Sequence, residues 1–142
     1  MPRKQVSAVL DTNIVLSAAI RPQGIPACAV SAGLQGKFLI CYSDEIIEEY
    51  QEVLSRGRFK LPHKAIETFI ADIKKAGKRV VPKMQLSLSP DPDDNKFLEA
   101  AQEAAVHYLV TGNKRHFPES HGQTKIVTPR EFVTILISAG II

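Results

Sequence analysis

The sequence predicts an α/β protein whose parallel sheet is covered by helices on both faces. Short apolar runs that are typical of buried strands alternate with longer segments that carry apolar residues at helical spacing. This alternation favours a parallel sheet, because each crossover between parallel strands usually contains a helix. The glycines form neither a G-x-G-x-x-G nor a P-loop pattern, so a nucleotide cofactor is not expected.

The first half of the chain supplies two predicted strands and three predicted helices. Asp11 ends the first apolar run, and the Arg21-Pro22 pair ends the first helix, because a residue before proline disfavours helical geometry. Ser43 is a suitable N-cap for the third helix, which has acids in its first turn. The predicted strands are residues 6–10 and 37–42, and the predicted helices are residues 13–20, 26–34 and 44–55.

The second half continues the alternation. Pro62 can start a helix that runs to Gly77, and T-P-R-E at residues 128–131 is a capping-box pattern with proline at the first helical position. Residues 83–89 receive no assignment. The predicted strands are residues 79–81, 107–111 and 125–127, and the predicted helices are residues 62–77, 95–105 and 130–138.

Length and composition limit the classes of protein that fit. At 142 residues, 44% hydrophobic and without a linker or repeat, the chain is expected to be a single domain over residues 1–142. No apolar run approaches the roughly 20 residues that span a bilayer. Asp11 interrupts the N-terminal apolar stretch, so no signal peptide is expected. A cytoplasmic location is expected instead. The net charge of +3 does not by itself indicate a nucleic-acid partner.

The stretch S-P-D-P-D-D-N-K-F at residues 89–97 places three acids directly before a predicted helix. One interpretation is structural, because Asp91 as N-cap, Pro92 at the first helical position and Asp94 at N3 make a sound helix start. The other interpretation is a charged site shared with acids elsewhere in the chain. The stretch alone does not decide between the two.

Other polar residues follow predicted strands, where the ligand crevice of an open parallel sheet lies. Asp11 follows the first strand and Asn113 follows the strand at residues 107–111, although Asp11 could also cap the next helix. On the third predicted helix, Glu49 lies beside the apolar face and Glu48 lies further from it. A carboxylate near a buried face needs a partner, and the sequence offers no obvious Lys or Arg for it.

Carboxylates that meet at one place raise one another's pKa unless a cation is present. Mg²⁺ and Mn²⁺ favour oxygen ligands, keep several waters and are commonly held by one or two carboxylates near substrate phosphates. Such an ion can lower the pKa of a water and offset charge on phosphate oxygens. Dispersed acids with the basic segments 56–60, 74–79 and 114–116 therefore favour phosphodiester hydrolysis.

Four motifs occur in order along the chain. They are V-L-D-T-N-I-V-L-S at 9–17, S-x-E-I-I-E-E-Y-x-x-V-L at 43–54, D-P-D-D-N-K-F-L-E-A-A at 91–101 and Y-L-V-T-G-N-K-R-H-F at 108–117. Together they resemble the PIN-domain family of metal-dependent ribonucleases, from Val6 to about Leu136. Within that family the chain is similar to the VapC-type toxins of prokaryotic toxin–antitoxin pairs. The resemblance implies a three-layer α/β/α sandwich, Rossmann-like, with a central parallel sheet.

The resemblance also implies an endonuclease that depends on Mg²⁺ or Mn²⁺ and acts on RNA. The family's catalytic and metal-binding acids map to Asp11, Glu49 and Asp94, and Asp91 is a further acid at the rim of the metal site. Side chains expected to orient an acid or a water are Thr12, Asn13 and Thr111. Toxins of the family are usually covered by an antitoxin protein, and many form homodimers.

One position departs from the family pattern. Many PIN domains carry an aspartate where this chain has Asn113, whose amide oxygen can contact a metal ion or a water but adds no negative charge. This weakens the expectation of a second tightly held ion. The basic residues that follow, Lys114, Arg115 and His116, are expected to contact RNA phosphates, although His116 is equally consistent with a solvated loop residue.

Two other functions stay open. A haloacid-dehalogenase-like phosphatase also places an aspartate after its first strand, but it needs a second acid two positions on, where Asn13 cannot donate a proton. Alternatively, Asn113 marks a PIN-like module that binds RNA or a protein without cutting. Hydrolysis of a small phosphomonoester, or RNA binding without cleavage, would separate these from a ribonuclease.

Overall fold

The computed structural model describes residues 5–86 and 92–142, and these residues form six strands and six α-helices. The strands are β1 (Ser7–Leu10), β2 (Leu39–Tyr42), β3 (Lys78–Arg79), β4 (Tyr108–Val110), β5 (Ser120–His121) and β6 (Thr124–Val127). The helices are α1 (Thr12–Ile20), α2 (Ile25–Leu34), α3 (Asp44–Leu54), α4 (His63–Ala76), α5 (Asn95–Ala104) and α6 (Pro129–Ser138). Among the described residues no single helix could span a membrane, although α1 and α2, bent by 102° at their junction, together reach the necessary length and apolar composition.

The strands form one sheet in the order β3-β2-β1-β4-β6-β5, and every pairing is parallel except that of β5 with β6. The predicted α/β fold is therefore confirmed, and the predicted parallel sheet is mostly parallel, with β5 as its antiparallel edge strand. The antiparallel strand β5 was not predicted, because Ser120 and His121 carry no apolar pattern. A two-residue turn joins β5 to β6, and Gly122 takes the positive φ of 59° that favours glycine in such hairpins.

Both faces of the sheet are covered, as the continuously apolar strands predict. Ala8, Val9 and Leu10 of the central strand β1 are fully buried, and consecutive side chains of a strand point to opposite faces. Helix α5 packs against β1, β2 and β4, and α6 packs against β4 and α2. The side chains of β1 are therefore shielded on both sides, which is the three-layer arrangement expected.

Local signals in the sequence set several helix boundaries. The Ser43 hydroxyl accepts a hydrogen bond from the Ile46 N–H at 3.3 Å and caps α3. Thr128 and Glu131 form the predicted capping box at the start of α6. Gly77 ends α4 where a Cβ atom would lie 2.6 Å from the Ile40 carbonyl oxygen, so the chain can pass from α4 into β3 only with glycine there.

Helix α5 begins at Asn95, as predicted for residues 95–105, but its N-cap differs from the structural interpretation of the D-P-D-D stretch. Residues Pro92–Asp94 form a short 3-10 turn, and Asp94 occupies the N-cap position rather than N3. The predicted N-cap, Asp91, lies outside the described residues. The capping interpretation placed the N-cap too early because a proline followed by acids is equally compatible with a 3-10 turn that leads into an α-helix.

Candidate active site

The first element of the site is the junction of β1 with β4. The two strands pair in parallel with Leu10 opposite Val110, so the residues that follow them, Asp11 and Thr111, emerge at the same edge of the sheet. The Asp11 N–H donates to the Val110 carbonyl at 2.9 Å, and the Thr111 hydroxyl donates to Asp11 Oδ2 at 2.7 Å. The sheet register thus fixes the carboxylate of Asp11.

Asp11 occupies the N-cap position of α1, yet its side chain makes no capping hydrogen bond. The structural interpretation of Asp11 as a helix cap is therefore wrong for its side chain, which turns instead to Thr111. Thr111 is itself fixed, because its hydroxyl accepts a hydrogen bond from the Asn113 N–H at 3.0 Å. The loop after β4 therefore orients Asp11 through Thr111.

The pKa of Asp11 is raised from 3.8 to about 6. Burial is the largest cause, and the negative charges of Asp94 and Glu49 add to it. The hydrogen bonds from Thr111 and from the backbone of Thr12 act in the opposite direction but do not cancel the rise. The three acids predicted for the site therefore lie within electrostatic reach of one another.

Glu49 extends from α3 and is held by two partners from other elements. The Lys96 ammonium lies 2.6 Å from Glu49 Oε1, and the Thr12 hydroxyl donates to Glu49 Oε2. Burial lowers the pKa of Lys96, but the hydrogen bond and charge of Glu49, with Asp93 and Glu45, outweigh it and raise that pKa overall. Both oxygens of the Glu49 carboxylate are thus engaged, and Lys96 stays charged.

Lys96 is the partner that the sequence did not reveal for Glu49. Its side chain is 16% exposed and that of Glu49 is 22% exposed, so the ion pair is largely shielded from water. A signal was available in the motif D-P-D-D-N-K, where a lysine stands among acids in the first turn of α5. Glu48 is exposed, in agreement with its predicted position further from the apolar face.

Asp94 reaches the site from the start of α5. Like Asp11, it stands at an N-cap position without a side-chain capping hydrogen bond. Its Oδ2 atom lies 3.1 Å from His116 Nδ1, and its side chain is 16% exposed. The structural interpretation of the D-P-D-D stretch therefore does not account for Asp94, which instead faces the loop after β4.

The remaining predicted residues are more exposed. Asn13 and Asn113 are both exposed at the edge of the site. In the basic segment, Lys114 pairs with Glu131 at 3.1 Å, Arg115 is exposed, and His116 is half-exposed beside Asp94. His116 is therefore in contact with an acid of the site rather than simply solvated, and its predicted contact with RNA stays a prediction.

Tyr50 is a second residue that the sequence did not single out. It is fully buried in α3, and its hydroxyl donates to the Leu10 carbonyl at 2.5 Å, directly before Asp11. Burial, together with the charges of Asp11 and Glu49, raises the pKa of Tyr50 well above its ordinary value. Tyr50 thus remains a hydrogen-bond donor that ties α3 to the end of β1.

The donor set suits a hard divalent ion that keeps most of its waters. Within residues 5–86 and 92–142, no three His, Cys, Asp or Glu side chains form a group that could enclose a metal ion. Mg²⁺ does not require such a cage, because it is usually held by one or two carboxylates and several waters. Burial is the main cause of the raised pKa of Asp11, and the charges of Asp94 and Glu49 add to it; a cation beside these carboxylates would offset that repulsion. The residues present therefore fit Mg²⁺ or Mn²⁺.

Comparison with known proteins identifies the family. The PIN domain pattern matches residues 7–115, which is more than half of the chain, so the protein belongs to the PIN domain family. The chain is also similar to an uncharacterized protein of Methanocaldococcus jannaschii, with 25% identity over 154 aligned positions that cover 94% of this chain and 93% of that protein. PIN domains are generally nucleases. A single domain over residues 1–142 stays a prediction.

Proposed function

We propose that this protein is a Mg²⁺- or Mn²⁺-dependent endoribonuclease that hydrolyses RNA phosphodiester bonds. Membership of the PIN domain family supports a nuclease, and PIN domains usually use divalent metal ions. We further propose that it is the toxin of a prokaryotic toxin–antitoxin pair and acts in the cytoplasm. This finer proposal rests on the similarity of its four motifs to VapC-type toxins.

The observation that carries the proposal is the electrostatic coupling of three acids from three elements. Asp11 follows β1, Asp94 precedes α5 and Glu49 lies in α3. Burial is the largest cause of the raised pKa of Asp11, and the charges of Asp94 and Glu49 raise it further. A fold gains no stability from bringing buried and half-buried carboxylates together. Binding of a divalent cation beside the RNA phosphate would explain why these three carboxylates lie at one site.

The proposed ion would be held by carboxylates from three parts of the fold. Asp11, Glu49 and Asp94 are the side chains that would hold the ion, directly or through its waters, and Asp91 is a further predicted ligand outside the described residues. When bound, the ion would supply a water of lowered pKa and offset the charge of the scissile phosphate. Thr111 orients Asp11 through its hydroxyl.

RNA contacts are assigned to the basic segment after β4. Arg115 is exposed, and Lys114 is 43% exposed beside Glu131, so both can reach a phosphate without unfolding the loop. Their charges would draw the backbone of RNA toward a site that is otherwise acidic. An antitoxin protein that covers this face, and a homodimer, belong to the same proposal.

Cleavage of a mixed pool of structured and unstructured RNA by the full-length protein tests the proposal. The reactions contain Mg²⁺, Mn²⁺ or EDTA, and they compare the parent with Asp94→Asn and with Asp72→Asn, a matched change at an exposed acid of α4. We expect metal-dependent cutting by the parent and by Asp72→Asn, and a loss of at least about a hundredfold in Asp94→Asn. Equal cutting by Asp94→Asn, or no cutting by the folded parent with either metal, would contradict a ribonuclease.

The toxin assignment needs a separate test in cells. Induced expression of the parent in a bacterium is expected to stop growth, and expression of Asp94→Asn at the same level is not. Growth arrest by both proteins would show an effect unrelated to the acids, and growth with both would argue against a toxin.

A module that binds RNA without cutting is the second candidate, and Asn113 favours it. Its amide is exposed at the site edge, where many PIN domains carry an aspartate. RNA binding without cleavage, together with cleavage gained in Asn113→Asp, would support this candidate. A haloacid-dehalogenase-like phosphatase is disfavoured by exposed Asn13, and turnover of a small phosphomonoester would revive it.

A further inference from the structure

Lys96 occupies a position that helix stability does not explain. It stands in the first turn of α5, two residues after Asp94, where the positive end of the helix dipole disfavours a cation. Its side chain is only 16% exposed, and burial also opposes an ammonium charge. A charged lysine at this position is therefore unfavourable unless a negative group outside α5 stabilises its ammonium.

Glu49 is that group, and the contact involves three elements. The Lys96 ammonium binds one carboxylate oxygen of Glu49 at 2.6 Å, while the Thr12 hydroxyl donates to the other oxygen. Lys96 comes from α5, Glu49 from α3 and Thr12 from α1. Glu49 is thus fixed at the acidic site with a positive charge already beside it.

The surroundings of Lys96 are strongly acidic. The groove on this side of the molecule has a volume of about 310 Å³, and its lining residues are Glu45, Glu48, Glu49, Glu52, Asp93 and Lys96. Acids at spacings of three and four residues place the glutamates along one face of α3. Lys96 therefore puts a fixed positive charge into a groove of carboxylates, at the point where the groove meets the site.

We propose that Lys96 is the built-in counter-cation of Glu49 and that the site therefore binds one divalent ion, beside Asp11 and Asp94, rather than two. The inference rests on the proposed metal-dependent nuclease site and specifies how its charge is balanced. Asp11, Glu49, Asp94 and Lys96 together carry a formal charge of −2, which one divalent ion neutralises. Asp91 lies outside the described residues and is not counted, and Asn113 adds no charge. Lys96 is a positioning residue, because it acts by holding and neutralising Glu49.

Binding of Mn²⁺ to the full-length protein, followed by the electron paramagnetic resonance signal of the free ion, tests the inference without RNA. Lys96→Met removes the charge, Lys96→Arg keeps it, and Lys75→Met removes an exposed lysine of α4 as a matched control. We expect the parent, Lys96→Arg and Lys75→Met to bind one ion with similar affinity. Lys96→Met is expected to bind a second ion and to lower the Kd of the first by about tenfold, because a nearby repelling charge is gone.

Other outcomes would overturn the inference. Two ions in the parent, or unchanged stoichiometry and Kd in Lys96→Met, would show that Lys96 does not balance the site. A lower melting temperature of Lys96→Met with unchanged Mn²⁺ binding would show a purely structural ion pair. If Lys96→Met does not fold, Lys96→Gln, which can still hydrogen-bond to Glu49, gives the same comparison.

RNA cleavage measured on the same variants separates this inference from the proposed function. Mn²⁺ binding as expected, without RNA cleavage, would contradict the ribonuclease and leave the role of Lys96 standing. Metal-dependent cleavage by the parent, with Mn²⁺ binding unaffected in Lys96→Met, would contradict the role of Lys96 alone.

Discussion

The starts of helices α6 and α1 both carry an acid, but the two acids have opposite environments. At α6, the backbone N–H of Thr128 and the ammonium of Lys114 lower the pKa of exposed Glu131. At α1, burial and the charges of Asp94 and Glu49 raise the pKa of Asp11 to about 6. One acid stabilises the fold in its ionised form, and the other destabilises it.

The difference shows that an acid at a helix start is not by itself a cap. Glu131 completes a reciprocal capping box with Thr128, whereas Asp11 leaves its helix uncapped to accept a hydrogen bond from Thr111. Asp94 behaves as Asp11 does, because it also stands at an N-cap without capping. Helices α1 and α5 therefore both lack a side-chain cap at the candidate site. This indicates that the carboxylates of Asp11 and Asp94 serve a function other than capping.

The sharpest test of this comparison is Asp11→Asn. Cleavage of RNA is expected to fall by at least about a hundredfold, because the central carboxylate is lost. The free energy of unfolding at pH 7 is expected to rise by up to roughly 3 kcal/mol, since the amide keeps the hydrogen bond from Thr111 without the buried charge. Denaturant unfolding and RNA cleavage of the same preparation measure both. A less stable variant would mean that the Asp11 charge is compensated in the fold.

The change in the free energy of unfolding with pH is a second test of the environment of Asp11. Because the folded protein raises the pKa of Asp11 from 3.8 to about 6, it binds this proton more tightly than the unfolded chain does. The contribution of Asp11 to stability is therefore complete below about pH 4 and is lost as the pH rises to about 6. The free energy of unfolding of the parent minus that of Asp11→Asn, measured from pH 3 to 8, should fall through this window. A flat difference would contradict the raised pKa.

Thr111→Val removes the hydrogen bond that lowers the pKa of Asp11. The pKa of Asp11 should rise further, so the pH at half-maximal cleavage should move upward and cleavage at pH 7 should fall about tenfold or less. Cleavage profiles between pH 5 and 9 check this. Recovery of the parent rate at high pH would show that Thr111 acts through Asp11, and an equal loss at every pH would show that it does not.

Thr128→Ala removes the cap of α6 and has the smallest expected effect. Loss of the capping hydrogen bond should lower the free energy of unfolding by about 1 kcal/mol and leave cleavage per folded molecule unchanged. Thermal unfolding and RNA cleavage test this. Ser43→Ala, which removes the cap of α3, is the matched control and should behave in the same way.

The sequence predicted most of the fold because local signals were strong. The apolar strand of residues 6–10, the Ser43 cap and the Thr128 capping box all appear in the structure close to their predicted positions. The hairpin strand β5 was missed because two polar residues carry no periodicity. Helix α5 starts at Asn95 as predicted, but the capping interpretation placed its N-cap too early because the turn signals before it fit two geometries.

The site was only partly predictable, for a different reason. Asp11 and Asn113 both follow predicted parallel strands, so they were expected at one edge of the sheet, and the structure brings Asp11 and Thr111 together at that edge. The ion pair of Glu49 with Lys96 joins residues 47 positions apart. Such a contact depends on how α3 and α5 pack, which periodicity and spacing do not specify.

The two edges of the sheet have a consequence for assembly. β3 and β5 are each two residues long, and β3 consists of Lys78 and Arg79, both exposed. A second chain would find very little backbone to pair with at either edge. The positive side chain of Lys78 would also oppose an identical strand, whereas Arg79 is paired with Asp44 at 2.7 Å. Short edges of this kind give the protein a low tendency to grow into sheet-like aggregates, and they leave the side chains of helices as the surface for the proposed homodimer.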